Sequence, residues 1–380
     1  MNLELSEAQE FFRSATRKFL EKETPLSVVR SLYESVDGFE RSWWQQAAEL
    51  GWTSLCVPET LGGGSLSGRP VADAVIVAEE MGRMVAPGPF LPVNVVAATI
   101  ARAGSDDQRM TLLPDLLSGA SVATWAVCEP GSHWDSDGVN ATATIDGGHV
   151  IVDGAKVYVE ALGSAQYVLV TARTGQGLTQ VLVPVESPGL SLLRGRSLDI
   201  TRRYGSLALD AVRLPLTTVV GEVGQAGEQV AWQWALAVAL QCAELVGVVD
   251  RTMEFTLEYG FDRFAFGRPI VGYQAIKHRV ADMAVMIEGS KAVSDALASA
   301  IDDEEKDAFR LSSVAKAYIG EHVPDIVDDC VQITGGIGVT WEHDIHLYSR
   351  RAVVDRAVFG TPEEHKQRLL MLLADTEGVE

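Results

Sequence analysis

The hydrophobic period of this chain changes twice, and that double switch limits what it can fold into. Behind a capping box at Ser6–Gln9, Ala8, Phe11, Phe12, Ala15 and Phe19 recur at helical spacing. The same period returns in "ADAVIVAEEMGR", after the loop "PETLGGGSLSG" (58–68). Near residue 122 the pattern becomes short, β-branched and alternating: "HVIVDGAKVYVEA", "AQYVLVTART", "TQVLVPVES" and "GSLALDAVRLP", separated by Gly, Ser and Pro. Past "VVGEVGQAG" the helical period resumes and holds to the end. The chain therefore reads as α+β: an N-terminal helical domain (1–121), a middle β-domain forming a small antiparallel sheet or barrel (122–221), and a C-terminal helical domain (222–380). A length of 380 residues is itself too great for one ordinary core.

Composition narrows the partners. A formal net charge of −21 excludes nucleic acid and an acidic membrane surface, because both repel a polyanion. "MNLELSEAQEFF" has neither a basic n-region nor an apolar h-region, so no export signal is expected. The longest apolar run, Ala235 to Val249, carries Gln241 and Glu244 and is too short to span a bilayer. Cys56, Cys128, Cys242 and Cys330 lie far apart, without CxxC spacing, and read as buried thiols of a reducing cytoplasm.

Two stretches point to a ligand. In "FDRFAFGRPIVGYQAIKH" (261–278), Gly267-Arg268-Pro269 breaks a helical pattern between Arg263 and Gln274. A proline inside a helix costs about 3 kcal/mol, so the break needs a reason. It is either a helical corner with a solvated arginine or a place where two helices aim Arg263 and Gln274 at something anionic. "VQITGGIGVT" (331–340) sets Gly335 and Gly336 beside Gln332, either as a helix cap or as bare backbone that a ligand can approach. His343, Asp344 and His346 lack a third ligand at metal spacing, which favours packing or surface roles.

Taken together these stretches resemble the acyl-CoA dehydrogenase family over nearly the whole length. The α–β–α order agrees, as do "LCVPETLGGGS", "AEEMGR", "AGSDDQRMTLLPDLLSG", "RLPLTTVVGEVGQAG", "RFAFGRPIVGYQ" and "VQITGGIG". The resemblance implies a C-terminal four-helix bundle, a tetramer, an acyl-CoA substrate from fatty acid or steroid side-chain β-oxidation, and an electron-transfer acceptor protein. It also implies FAD shared across a subunit boundary. Arg263 would pair with the FAD pyrophosphate, Gln274 would orient the dinucleotide, and Gln332, Gly335 and Gly336 would hold its adenylate end, all for the flavin bound mainly by a neighbouring subunit. It places Phe266, Thr361 and Cys128 at cofactor-contacting positions as well.

The chain departs from that pattern where its own flavin should sit. "AVCEPGSHWDSDG" keeps Glu129-Pro130-Gly131 and Asp135 but has Cys128 at a threonine position and Trp134 at a serine position. "VYVEA" puts Tyr158 where the family has tryptophan, and Glu160 where a hydroxyl would bond flavin N5. The glutamate that removes the substrate α-proton is also missing. Phe359 stands before Gly360-Thr361, and Ala237 occupies the other family position. Glu244 lies seven residues beyond Ala237, about 10 Å along a helix axis, and reads first as a helix-interior acid that is paired or faces a cleft; as a substitute base it comes ahead of Glu160 and then Glu363. The leading expectation is a base-lacking subunit that completes the FAD site of a homologous partner in a hetero-oligomer, a pairing that the resemblance associates with actinobacterial enzymes acting on bulky, steroid-like acyl-CoA. The alternatives are a self-sufficient homo-oligomeric dehydrogenase using Glu244 or Glu160, and a CoA- or flavin-binding relative that is no dehydrogenase.

Overall fold

The computed structural model describes residues 5–131, 134 and 138–377. Helix α1 (Glu7–Glu23) starts where the capping box requires: Ser6 Oγ accepts from the Gln9 amide at 3.3 Å, and the Gln9 side chain accepts from the Ser6 amide at 3.0 Å. Gln9 Nε2 then donates to Asp73 on α4 (Pro70–Arg83) at 2.9 Å. Asp73 is fully buried and also accepts from Ser65, Leu66 and Ser67, so one carboxylate ties the glycine-rich loop to two helices. Helices α2 (Leu26–Ser31) and α3 (Arg41–Glu49) lie between α1 and α4 in sequence, and α5 (Phe90–Ala103) and α6 (Asp106–Leu117) follow. A second capping box, Ser105–Gln108, opens α6, and Gln108 Nε2 reaches the carbonyls of Thr217 and Val219 at 2.9 Å, fastening these helices to the sheet.

The strands are β1 (Ala123–Ala126), β2 (Thr142–Asp146), β3 (His149–Glu160), β4 (Tyr167–Thr174), β5 (Gly177–Pro184), β6 (Leu190–Arg194), β7 (Tyr204–Pro215) and β8 (Val219–Val220). Their order is β6-β7-β3-β2-β4-β5-β8, with β1 beside β4. The expected antiparallel sheet is in fact mixed, since β1 and β2 both pair with β4 in parallel. A parallel pair needs a crossover connection, and the β2–β3 hairpin supplies it between β1 and β4. The sheet has its own apolar core, including Val150, Val152, Val168, Val170, Val181 and Val183.

Helix α7 (Gly227–Asp262) runs 36 residues and is long and apolar enough to cross a bilayer, unlike the shorter run read from the sequence. Of its most apolar window, 94% is buried inside the fold, so its hydrophobicity serves packing. It is followed by α8 (Gln274–Asp302), α9 (Ala308–Thr334), α10 (Ile345–Ala357) and α11 (Pro362–Glu377).

Helices α4 and α7 touch backbone to backbone. A Cβ at Gly82 would stand 1.9 Å from the Glu244 carbonyl oxygen, and one at Gly247 would stand 1.9 Å from that of Glu79. Alanine is the better helix former by about 1 kcal/mol, but here it would force the helices apart. Gly82→Ala is therefore expected to lose about 2–3 kcal/mol of stability, measured by urea denaturation. An unchanged or higher midpoint would contradict this contact.

Candidate functional site

The break between α7 and α8 is a tight hairpin rather than a plain helical corner. Phe264–Ala265 (β9) pairs antiparallel with Arg268–Pro269 (β10), and Phe266 and Gly267 turn with φ of 49° and 84°. Positive φ at both central residues is the geometry of a two-residue β-turn whose twist suits a hairpin. Pro269 sits at the hairpin edge, where its missing N–H costs nothing. The hairpin presents Arg263 and a Phe266 ring that is 98% exposed. The Arg263 side chain makes no hydrogen bond or ion pair among the described residues, and Gln332 is likewise exposed and unengaged. Gln274 opens α8 and lies 3.5 Å from His278. At Gly335 (φ 71°) and Gly336 a Cβ would meet nothing within 4 Å. A free guanidinium, two amides and bare backbone suit a dinucleotide arriving from outside this chain.

The position at which the resemblance puts the chain's own flavin does not fit one. Trp134 stacks on Tyr158 with ring centres 5.8 Å apart, meets Phe359 edge-on at 5.3 Å and touches Trp234 at 6.2 Å. Trp125 stacks on the other side of Phe359 at 6.2 Å. What remains is a cavity of about 20 Å³, lined in part by Cys128, Trp134, Tyr158, Glu160 and Phe359, room for about one water and far too little for a tricyclic ring. Arg368 pins this cluster by donating to the Trp134 carbonyl at 3.0 Å. Tyr158 adopts a φ of 55°, costly for an aromatic residue, at a register shift between β3 and β7. Burial pushes the Cys128 thiol up to about 11, so it stays neutral. Asp135 lies outside the described residues.

The substitute bases are occupied. Glu244, expected first among them, accepts on both oxygens from Arg202 Nη2 at 2.5–2.6 Å and also from Arg351 Nη1. It does not line the cavity, and Arg202 bridges it to Glu160, which does. Glu160 does line the cavity; burial pushes its carboxyl above the usual range, while the ion pair with Arg202 opposes the shift. Arg351 also binds Asp199 and Thr201, and burial together with Glu244 pushes the nearby Asp355 carboxyl well up. Fully buried charges of this kind persist only when paired, and each arginine here links two acids. Glu363 is exposed on α11 and pairs with Arg356 at 2.8 Å.

Other expected site residues have local partners. Ala237 is buried on α7. The Thr361 hydroxyl and amide engage Glu364 in a capping box at the start of α11, which occupies the hydroxyl locally. Glu129 accepts from Lys156 at 2.6 Å and from the Asn140 and Ala141 amides; burial raises its carboxyl, and these partners outweigh that and hold it low. His346 stacks on Trp341 at 4.6 Å, and Asp344 accepts from Arg30 at 2.6 Å. Sequence reasoning missed Arg202, Arg351 and Trp234. The doublets "TRRYG" and "YSRR" look like solvated arginines, and only the fold puts one member of each in the core.

Residues 6–120 match the family model described as Acyl-CoA dehydrogenase, N-terminal domain, and residues 231–373 match Acyl-CoA dehydrogenase, C-terminal domain. The chain is 29% identical to acyl-CoA dehydrogenase IpdE2 of Mycolicibacterium smegmatis, over 96% of this chain and 98% of the relative. It is 27% identical to the mitochondrial short-chain specific acyl-CoA dehydrogenase of Homo sapiens, over 95% of this chain and 89% of the relative. Among solved structures it is similar to a variant of the Tcur3481–Tcur3483 steroid ACAD, with 28% identity, a TM-score of 0.88, and 98% and 99% of the two chains covered. This chain belongs to the acyl-CoA dehydrogenase family, FAD-dependent oxidoreductases that act on a CH–CH bond.

Proposed function

We propose that this chain is a base-lacking subunit of a hetero-oligomeric acyl-CoA dehydrogenase and completes the FAD site of a homologous partner chain. The observation that supports the reading is the aromatic cluster of Trp134, Tyr158, Trp234 and Phe359, packed where the resemblance puts this chain's own flavin. The similarity to the Tcur3481–Tcur3483 steroid ACAD supports a paired assembly and a bulky acyl-CoA. The division at 1–121, 122–221 and 222–380, a cytoplasmic location and an electron-transfer acceptor protein belong to the same reading.

FAD, when bound, would supply the hydride acceptor for α,β-dehydrogenation of the acyl-CoA. Phe359 and Ala237 leave removal of the α-proton to a carboxylate of the partner. Arg263 would neutralise the cofactor pyrophosphate, Gln274 would orient it, and Gln332, Gly335 and Gly336 would hold the adenylate end against exposed backbone. The exposed Phe266 ring would lie against the cofactor. Thr361 and Cys128 have local roles, in capping α11 and lining the closed cavity.

A second reading, with Glu160 as a displaced base in a self-sufficient enzyme, draws on its place at the cavity and its raised carboxyl. The Arg202 ion pair opposes it.

Arg263→Ala tests the leading reading. Co-purified with its partner, the variant should fold and assemble but lose about 1.5–3 kcal/mol of FAD affinity, roughly ten- to a hundredfold. Excess FAD should restore part of the activity. Full flavin occupancy at low free FAD would instead make Arg263 a solvated corner residue.

A further inference from the structure

On a different part of the surface, a cavity of about 360 Å³ lies between the segment after α2, the β6–β7 loop and α10. Its wall carries Arg194, Arg196, Arg203 and Arg350 against the single acid Glu34. In a chain of net charge −21, four arginines converging on one cavity run against the overall field.

Among the described residues, carboxylates engage only two of these arginines, Arg194 at 3.5 Å and Arg196 at 3.9 Å. Arg203 spends its donors on the carbonyls of Leu32, Ser35 and Ile200, at 2.6–2.9 Å for the closest contacts, which fixes its charge at the cavity wall. Arg350 donates to the Leu198 carbonyl at 3.2 Å. Neither has a carboxylate ion pair among the described residues. Arg196 is loosely paired with Glu34 at 3.9 Å, and both side chains are largely exposed. Arg194 meets Asp37 at 3.5 Å and the Gly163 carbonyl at 2.9 Å. Beside this charge the rim is apolar: Tyr33, Val36 and Leu198 are 46%, 65% and 50% exposed, and the Tyr33 ring is braced edge-on by Trp341 at 5.8 Å.

We propose that this cleft binds a nucleoside diphosphate, with the phosphates on Arg196 and Arg350 in the field of Arg203 and the base against Tyr33. Fork-shaped guanidinium groups match phosphate oxygens, and an exposed, braced aromatic ring offers a stacking face. The cavity volume falls within the range of small-molecule sites. The site uses none of the residues assigned to FAD, so it stands whether or not the partner reading holds.

Calorimetric titration of the full chain with ADP, inorganic diphosphate and adenosine tests it. ADP should bind, diphosphate more weakly, and adenosine not measurably. Binding should weaken as salt rises. The Arg196→Ser/Arg350→Ser double variant should bind ADP at least about tenfold more weakly. Tyr33→Ala should weaken ADP but not diphosphate. Arg263→Ala should leave ADP binding unchanged, which separates this cleft from the FAD-contacting face. Absence of ADP binding to the unaltered chain, equal binding by the double variant, or capture only by phosphatidylserine vesicles would each overturn the proposal.

Discussion

Purified without a homologous partner, the chain is expected to be colourless and to oxidise no acyl-CoA with an artificial electron acceptor. The reason is steric before it is chemical. A cavity of about 20 Å³ cannot admit a flavin ring, and opening it would mean displacing Trp134 from Tyr158, Phe359 and Trp234. The chemical reason is independent. Phe359 and Ala237 cannot take a proton, Glu244 is held by two arginines, and a general base is worth about 10²–10⁴ in rate. Phe359→Glu alone should therefore not create activity, because it supplies a base to a site without cofactor. Flavin absorbance and dye reduction on the isolated chain check both points. A yellow, active homo-oligomer would overturn the base-lacking reading, and Glu160→Gln would then show whether Glu160 does the work.

Glu244→Ala is expected to cost about 3–5 kcal/mol of folding stability, because it takes one of two acids from each of two buried guanidinium groups, leaving Arg202 with Glu160 alone and Arg351 with Asp199 alone. Arg202 and Arg351 are 4% and 0% exposed at the side chain, so water cannot take over the lost pairing. The measurement is the urea midpoint at constant slope in the assembled complex. A role as base predicts the opposite pattern: Glu244→Gln would abolish turnover and leave the midpoint unmoved. A stability loss below about 1 kcal/mol would place Glu244 outside the ion-pair network described above.

The α–β–α order was legible because hydrophobic periods of 3.6 and 2 are written locally. The long alternating strands β3, β4, β5 and β7 stood out for the same reason. The short strands β1, β2 and β6 did not, since four or five residues carry too little alternation to separate from a loop. The parallel pairing of β1 with β4 was invisible, because Ala123 and Tyr167 meet only through tertiary structure. Arg263, Gln274, Gln332 and the two glycines could be singled out in the sequence, and only the family resemblance gave them a role. The departures at Trp134, Tyr158 and Phe359 could be named one by one, but not their convergence into one aromatic cluster. Least legible was the ionic core. Arg351 reaches Asp199 across 152 residues and Glu244 across 107, distances at which no local pattern survives. Glu244 illustrates the limit: its place on a helix interior suggested a paired acid, and nothing in the sequence named the pair.

The most direct measurement of the central claim is the number of FAD molecules per polypeptide in the complex formed with a homologous, base-containing partner. With this chain's pocket closed and its Arg263 face serving the partner's cofactor, the complex should hold about half as many FAD molecules as chains. Quantitative flavin absorbance against chain concentration reads the ratio. One FAD for every chain would contradict the account, because this chain's own pocket would then have to open and fill.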